Sequence, residues 1–427
     1  MDDRRLSLRV HSPAAVALQI NAYRRAFVGD ALSMGGDWFT YVAMSLLAVH
    51  ASHSALALAM VASAHTLPRL LLASWAGALC DRLDRRTILV TTQLVRGAIV
   101  AAMAGVCLLA KGAPVGASLA MLHVLHLARM ALGALTDAAF RASLVDWVGV
   151  ERLAWAHRRA GLAWSALFCV GVLLGGVTVA AVGVVVAFAI DAVSYLLCAA
   201  LDATLPPLPP PLRDHAVDSP DEPNESRRKH LRLDRVLAAW VSTHPALVRA
   251  LIAKVPFALA QGAVWVVLTV RAPMLAMGLA PAAALGALHC ARGAGAGLGP
   301  WALRGLATGD GLGLAVLALP VATLFVLATD GRRASIALFV FGLAAGASWV
   351  QSSAVVAARA PLAYRGRVAS AELAVNALAQ WMGSLIVCVA IVLAGQTAGP
   401  RWAVSAGAVA AIVLATVTAL WARRLSR

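Results

Sequence analysis

Long apolar runs broken by short polar knots dominate this chain. The stretches 334–358, 373–395 and 402–421 carry no charged residue. A helix that crosses a bilayer needs about 20 mostly apolar residues, so each qualifies as a span. The run 160–201 carries one charge, Asp191. As a single helix it would extend about 60 Å, twice the roughly 30 Å of a hydrocarbon core. It therefore predicts a hairpin of two helices turning near Gly183. The same reading gives about twelve spans. They fall near 27–49, 55–79, 88–110, 115–137, 160–181, 184–203, 246–270, 275–299, 311–329, 334–358, 370–394 and 401–421.

Basic residues orient these spans, because cytoplasmic loops collect Arg and Lys. With the N-terminus inside, the inner connections hold Arg82, Arg85 and Arg86, then Arg141, Arg152, Arg158 and Arg159, then Arg359, Arg365 and Arg367. The outer connections hold Lys111, Arg271, Arg332, Arg333 and Arg401. Both termini are then cytoplasmic. The expected organisation is a cytoplasmic segment 1–25, a six-helix bundle 26–203, a cytoplasmic linker 204–245, a second six-helix bundle 246–422 and a tail 423–427. The linker opens with Pro206-Pro207 and Pro209-Pro210-Pro211 and later carries Arg227-Arg228-Lys229. It reads as partly disordered, with a basic segment near the next span. Residues 1–25 are polar and basic, so the first long apolar helix is expected to act as an uncleaved anchor. The fold class predicted is an all-α membrane protein of two six-helix bundles.

Composition sharpens this. The chain is 61% hydrophobic and 13% charged, against about 25% charged for soluble domains. Lipid, not water, is the solvent for most of its side chains. Net charge is +16, from 33 Arg and three Lys (Lys111, Lys229, Lys254) against 20 acids. In a soluble protein such a balance points to nucleic acid. Here the positive-inside rule accounts for it, and no nucleic-acid partner is expected. The six cysteines are scattered and form no CxxC pair. They read as small buried hydrophobes, and no metal or other cofactor is expected.

Several motifs sit on this frame. Gly35-Gly36-Asp37-Trp38 lies in the first span, and Leu67-Pro68-Arg69 leads into Gly77-Ala-Leu-Cys-Asp81-Arg82-Leu-Asp84-Arg85-Arg86. Gln93-Leu-Val-Arg96, Ala187-Phe-Ala-Ile-Asp191-Ala-Val-Ser194-Tyr195-Leu196 and Tyr364-Arg365-Gly366-Arg367-Val368 follow. Together they resemble the major facilitator superfamily of secondary transporters, in the exporter branch that includes macrolide efflux proteins and the enterobactin exporter. The charged loop Gly77–Arg86 is the most specific of them. Gly171-Val-Leu-Leu-Gly175-Gly176 keeps the glycines of the antiporter motif without its proline, and Gln93 stands where an acid is common. The resemblance implies alternating access and efflux by proton antiport, with antibiotics, siderophores or secondary metabolites as cargo. It also implies a multi-pass, monomeric protein of the bacterial inner membrane.

A carrier breaks no covalent bond and is not expected to be an enzyme. It needs a charge change that biases two states, and a buried carboxylate supplies one. Asp30, Ser33, Asp37, Tyr41 and Ser45 recur at three- or four-residue spacing, so they form one polar stripe on the first span. Asp37 is the leading candidate for proton coupling, with Asp30 a turn or two away. Arg129-Met-Ala-Leu-Gly133 resembles the Arg-x-x-x-Gly pattern of proton antiporters. An unpaired arginine within the membrane costs at least about 3 kcal/mol, and Asp37 is its expected partner. The alternative is an arginine reaching the headgroups. His123 and His126 share that face and read as cavity-lining or packing residues. Asp191, with Ser194 and Tyr195, reads as a fixed inter-helix hydrogen bond.

In the second half, Asp310, Asp330 and Glu372 are the only acids beyond the linker, all expected near helix ends. Deep proton chemistry is therefore expected in the first bundle. Lys254, Gln261 and Trp265 share one face, and Glu372, Asn376, Gln380 and Ser384 step by four along another. These stripes line the cargo path or act as polar glue between helices. The run Ala291-Arg292-Gly293-Ala-Gly295-Ala-Gly297-Leu-Gly299 lacks the ending of a phosphate loop and reads as a close-packing face. Gly77, Asp81, Arg82, Asp84, Arg85 and Arg86 form the expected gate latch, with Gly77 admitting a neighbouring helix closely. The cavity candidates are Tyr41, His126, Asp191, Gln261, Trp265, Asn376 and Gln380. Import or lysophospholipid flipping is the rival within transport. A membrane sensor or scaffold, or an embedded enzyme built on His123 and His126, is the rival outside it.

Overall fold

The computed structural model describes residues 13–50, 55–80, 82–109, 115–209, 245–252, 254–306, 330–359 and 365–394. Every regular element among them is helical. In chain order these are α1 (Pro13–His50), α2 (Ala55–Cys80), α3 (Arg85–Leu109), α4 (Val115–Val148), α5 (Leu153–Val182), α6 (Val184–Ala203), α7 (Pro245–Ile252), α8 (Lys254–Arg271), α9 (Pro281–Ala302), α10 (Gly331–Arg359) and α11 (Arg365–Ala394). Seven helices among the described residues are long and apolar enough to cross a membrane. The expected spans 311–329 and 401–421 lie outside the described residues, as does 210–244 of the linker.

The hairpin turn falls at Gly183, whose φ of +86° favours a residue without a Cβ. Two elements differ from the hydropathy reading. α1 begins at Pro13, so 13–25 is continuous with the first span and not a separate polar segment. Its polar residues leave a buried inner face, with Ala22, Tyr23 and Ala26 all enclosed. α4 likewise runs on to Val148, with Trp147 buried near its end. Hydropathy fades where a helix leaves the apolar layer, but backbone hydrogen bonding continues.

The described residues within Met1–Pro210 and Leu268–Gly293 form one compact unit. Those within Pro211–Val267 and Ala294–Arg427 form another. In the first, α1 packs against α2, α4, α5 and α6, while α3 packs against α4 and α6. Start of the expected linker is part of this core: Leu205 and Leu208 are buried in one cluster with Tyr23, Leu89 and Trp147. The first half of α9 joins the same unit through small residues. A Cβ at Gly176 would strike the Ala282 carbonyl, and one at Gly293 would strike the Phe168 ring. Within the second unit, Gly262 lies against the backbone of Gln380, Gly295 against that of Phe339 and Gly299 against that of Leu343. The glycine-rich run thus serves close packing.

Burial is distributed as lipid demands. α6 encloses Asp191, Ser194, Tyr195, Cys198 and Asp202, and exposes Val186, Ile190, Val193, Leu196 and Leu197. Polar groups turn inward because nothing in a hydrocarbon layer hydrogen-bonds them. Tryptophans divide the same way: Trp38, Trp147 and Trp265 are enclosed, whereas Trp75, Trp164 and Trp301 are exposed.

Candidate functional site

Four helices of the first unit converge on a charged cluster. Asp37 comes from α1, Arg96 from α3, Arg129 from α4, and Asp191 and Tyr195 from α6. Arg129 Nη1 donates to Asp37 Oδ1 at 2.5 Å, to Tyr195 Oη at 2.9 Å and to Asp191 Oδ2 at 3.3 Å. Arg96 Nη2 spans both Asp37 oxygens at 3.3 and 3.4 Å, and its Nη1 reaches Gln93 Oε1 at 3.3 Å. The Arg96 guanidinium also lies 4.4 Å from the centre of the Tyr195 ring, a cation–π geometry. The Tyr195 hydroxyl donates to Asp37 Oδ1, and that of Thr40 to Asp191 Oδ2. Two guanidinium groups thus face two carboxylates, which is how a low-dielectric interior tolerates them.

The two carboxylates differ in access. The side chain of Asp191 is 0% exposed and that of Asp37 is 23% exposed. Asp191 accepts hydrogen bonds from Thr40, Ser194 and Arg129. Asp37 is the more exposed of the two. The glycine before it makes the room: a Cβ at Gly36 would strike the side chains of Ser194 and Asp191. The expected pairing of Arg129 with Asp37 is present. Arg96, Tyr195 and Thr40 complete the site beyond the sequence candidates. Arg96 and Tyr195 stood in motifs, but no spacing along the chain told that they would meet Asp37.

Other candidates fall around this centre. Asp30 is half-buried, and among the described residues no hydrogen bond or ion pair joins it to the cluster. His126 is buried with Nδ1 3.5 Å from Arg129 Nη2. The His123 ring lies between the carbonyls of Leu119 and Ala57, tying α4 to α2. Tyr41 is buried, its ring edge-on to Trp38 and to His289 at 5.9 Å each. Among the described residues no three His, Cys, Asp or Glu side chains converge as metal ligands.

Asp81 of the charged loop lies outside the described residues. Asp84 caps α3, accepting from Thr87 N at 3.2 Å, and its other oxygen accepts from Leu208 N at 3.3 Å. Arg85 Nη1 meets Asp146 Oδ2 at 2.6 Å. Arg86 Nη2 donates to the Ala203 carbonyl at 2.5 Å, where a cation complements the C-terminus of α6. Arg82 is exposed. Each of these partners belongs to the first unit. Around Gly77, no described atom lies within 4 Å of where a Cβ would be.

In the second unit Glu372 is the eighth residue of α11. It sits inside α11, buried, in an ion pair with Lys254 at the start of α8. Buried ionisable side chains thus occur in both units. Asp310 lies outside the described residues, and Asp330 caps α10 by accepting from Arg333 N at 2.9 Å. Trp265 is buried, and Gln261, Asn376 and Gln380 are half-buried.

An inward-polar, outward-apolar helical bundle with charges paired in its interior is the construction of a polytopic membrane protein. The sequence profile of the Major Facilitator Superfamily matches residues 26–384, and the chain belongs to that superfamily. No curated protein matches the sequence. Solved structures share the fold. A peptide transporter POT in complex with alafosfalin is 14% identical, with TM-score 0.65 over 94% of each chain. The nucleoside transporter NupG is 14% identical, with TM-score 0.67 over 96% of this chain and 100% of its own. A bacterial homolog of the human lysosomal transporter Spinster, inward-facing and unoccupied, is 15% identical, with TM-score 0.62 over 94% of this chain and 97% of its own.

Proposed function

We propose that this transporter is a proton-coupled exporter of a small amphipathic compound, working by alternating access in a bacterial inner membrane with both termini cytoplasmic. The observation that carries the reading is Asp37: a partly exposed carboxylate held by two arginines that are themselves enclosed. Protonating it removes the charge that binds Arg96 and Arg129, while Asp191 still holds Arg129. Arg96 is then left with Gln93 and the face of Tyr195. One proton thereby redistributes contacts among α1, α3, α4 and α6, which is a bias between two bundle arrangements. Arg85 and Arg86, at the start of α3, are proposed to latch that helix to α4 and α6 on the cytoplasmic side.

The test is flux in proteoliposomes. With an imposed pH gradient, the wild-type protein moves cargo against its concentration, and Asp37→Asn does not. Asp37→Asn still exchanges cargo for cargo, since only the coupling step is lost. Gradient-driven flux in that variant at the wild-type rate would remove Asp37 from the mechanism. Export follows from the motif resemblance, and comparing inside-out with right-side-out vesicles separates it from import or lipid flipping.

A further inference from the structure

The second unit holds a cation inside a complete cage. Lys254 Nζ pairs with the Glu372 carboxylate, donates to Ser353 Oγ at 2.7 Å and lies 3.5 Å from the centre of the Trp349 ring. Ser353 in turn donates to Glu372 Oε1 at 2.9 Å. An ammonium has three N–H donors. Carboxylate, hydroxyl and π-face are an acceptor set of matching number. The Lys254 and Glu372 side chains are 2% and 10% exposed, so the cage needs no water.

Two further facts point past a structural ion pair. The chain uses lysine three times against 33 arginines, yet a lysine stands here. A compact ammonium on a flexible stem fits where a planar guanidinium fork does not. The receptor groups also come from other helices than the cation: Trp349 and Ser353 stand one turn apart on α10, and Glu372 is on α11. A pair that merely fastened α8 to α11 would not require the aromatic ring under the nitrogen.

We propose that Trp349, Ser353 and Glu372 form a binding subsite for the ammonium head of an amine-bearing cargo, and that Lys254 is a resident competitor which the cargo displaces. This rests on the reading of the chain as a carrier of small amphipathic compounds, and narrows them to organic amines. A site filled by its own lysine most of the time binds cargo with affinity reduced by the vacant fraction. Removing the lysine then tightens binding, the opposite of what loss of a cargo contact does.

The experiment is equilibrium binding to the full-length protein in lipid nanodiscs at neutral pH. Three probes share one ring: radiolabelled phenethylammonium, phenylacetate and 2-phenylethanol. The wild-type protein is expected to bind phenethylammonium saturably and the other two not at all. Lys254→Met should bind phenethylammonium about tenfold more tightly or better, and Glu372→Gln should lose it. The double variant Lys254→Met with Glu372→Gln removes both charges and strands neither, so it keeps its fold. It too should lose amine binding. Absence of saturable amine binding by the wild-type protein overturns the proposal. So does amine binding undiminished in the double variant, or phenylacetate binding that depends on Lys254, which would make this an anion site. Equilibrium binding needs no gradient. A negative result here leaves the Asp37 flux test standing, and a failed flux test leaves this one standing.

Discussion

Asp37 and Asp191 share one guanidinium, and their surroundings give them different duties. Asp191 is fully enclosed and held by Thr40, Ser194 and Arg129. Neutralising it leaves buried donors without their acceptor, a change that costs about 3–5 kcal/mol in a buried ion pair. The Asp37 side chain is 23% exposed, and on the proposed mechanism it loses its charge in every cycle. Asp191→Asn is therefore expected to lower the melting temperature of the detergent-solubilised protein strongly. Asp37→Asn should lower it far less, at about 1–2 kcal/mol for weakened charge-assisted hydrogen bonds. Melting curves of both variants check the ordering, and equal destabilisation would count against it. How much of the site could be read from sequence follows from the same residues. Asp37 and Arg129 were legible because a polar stripe and an intramembrane arginine are each costly unless they face inward and pair. Arg96 and Tyr195 were not. Their partner lies 59 and 158 residues away in the chain, and only helix packing decides which inward-facing groups touch.

At the scale of helices, apolar length predicted the elements and the Gly183 turn, but not their ends or their neighbours. Both α1 and α4 outrun their apolar cores, where hydropathy carries no signal. Neighbours show in the thiols. Cys169 on α5 and Cys290 on α9 bring their sulfurs to 2.6 Å, both being free and half-buried. Scattered along the chain, they gave no hint of a pair. Copper-phenanthroline is a membrane-soluble oxidant that removes the two thiol protons and electrons. It is expected to convert them to a disulfide and so fasten α5 to α9. Mass spectrometry of the digested protein under non-reducing conditions reads the cross-linked peptide, which dithiothreitol should abolish and Cys169→Ser should prevent. Oxidation that leaves both cysteines alkylatable would show that α5 and α9 do not meet there.

For the whole molecule, orientation rests on the charge of the loops and is open to direct labelling. Arg82 and Arg333 are both exposed and are assigned to opposite sides of the membrane. In a cysteine-free background, Arg82→Cys should react with an impermeant maleimide only in inside-out vesicles. Arg333→Cys should react only in intact cells or right-side-out vesicles. Labelling of both from one side would overturn the inside-positive topology.

The split among the tryptophans has an optical consequence. Trp75, Trp164 and Trp301 present their indoles outward, while Trp38, Trp147 and Trp265 are shielded by neighbouring helices. Reconstituted into bilayers of brominated phospholipid, the protein should keep the fluorescence of the second group and lose much of the first. Replacing Trp75, Trp164 and Trp301 with phenylalanine should reduce the quenching. Bromine carried at successive depths along the acyl chain then serves as a ruler for the height of each outward indole.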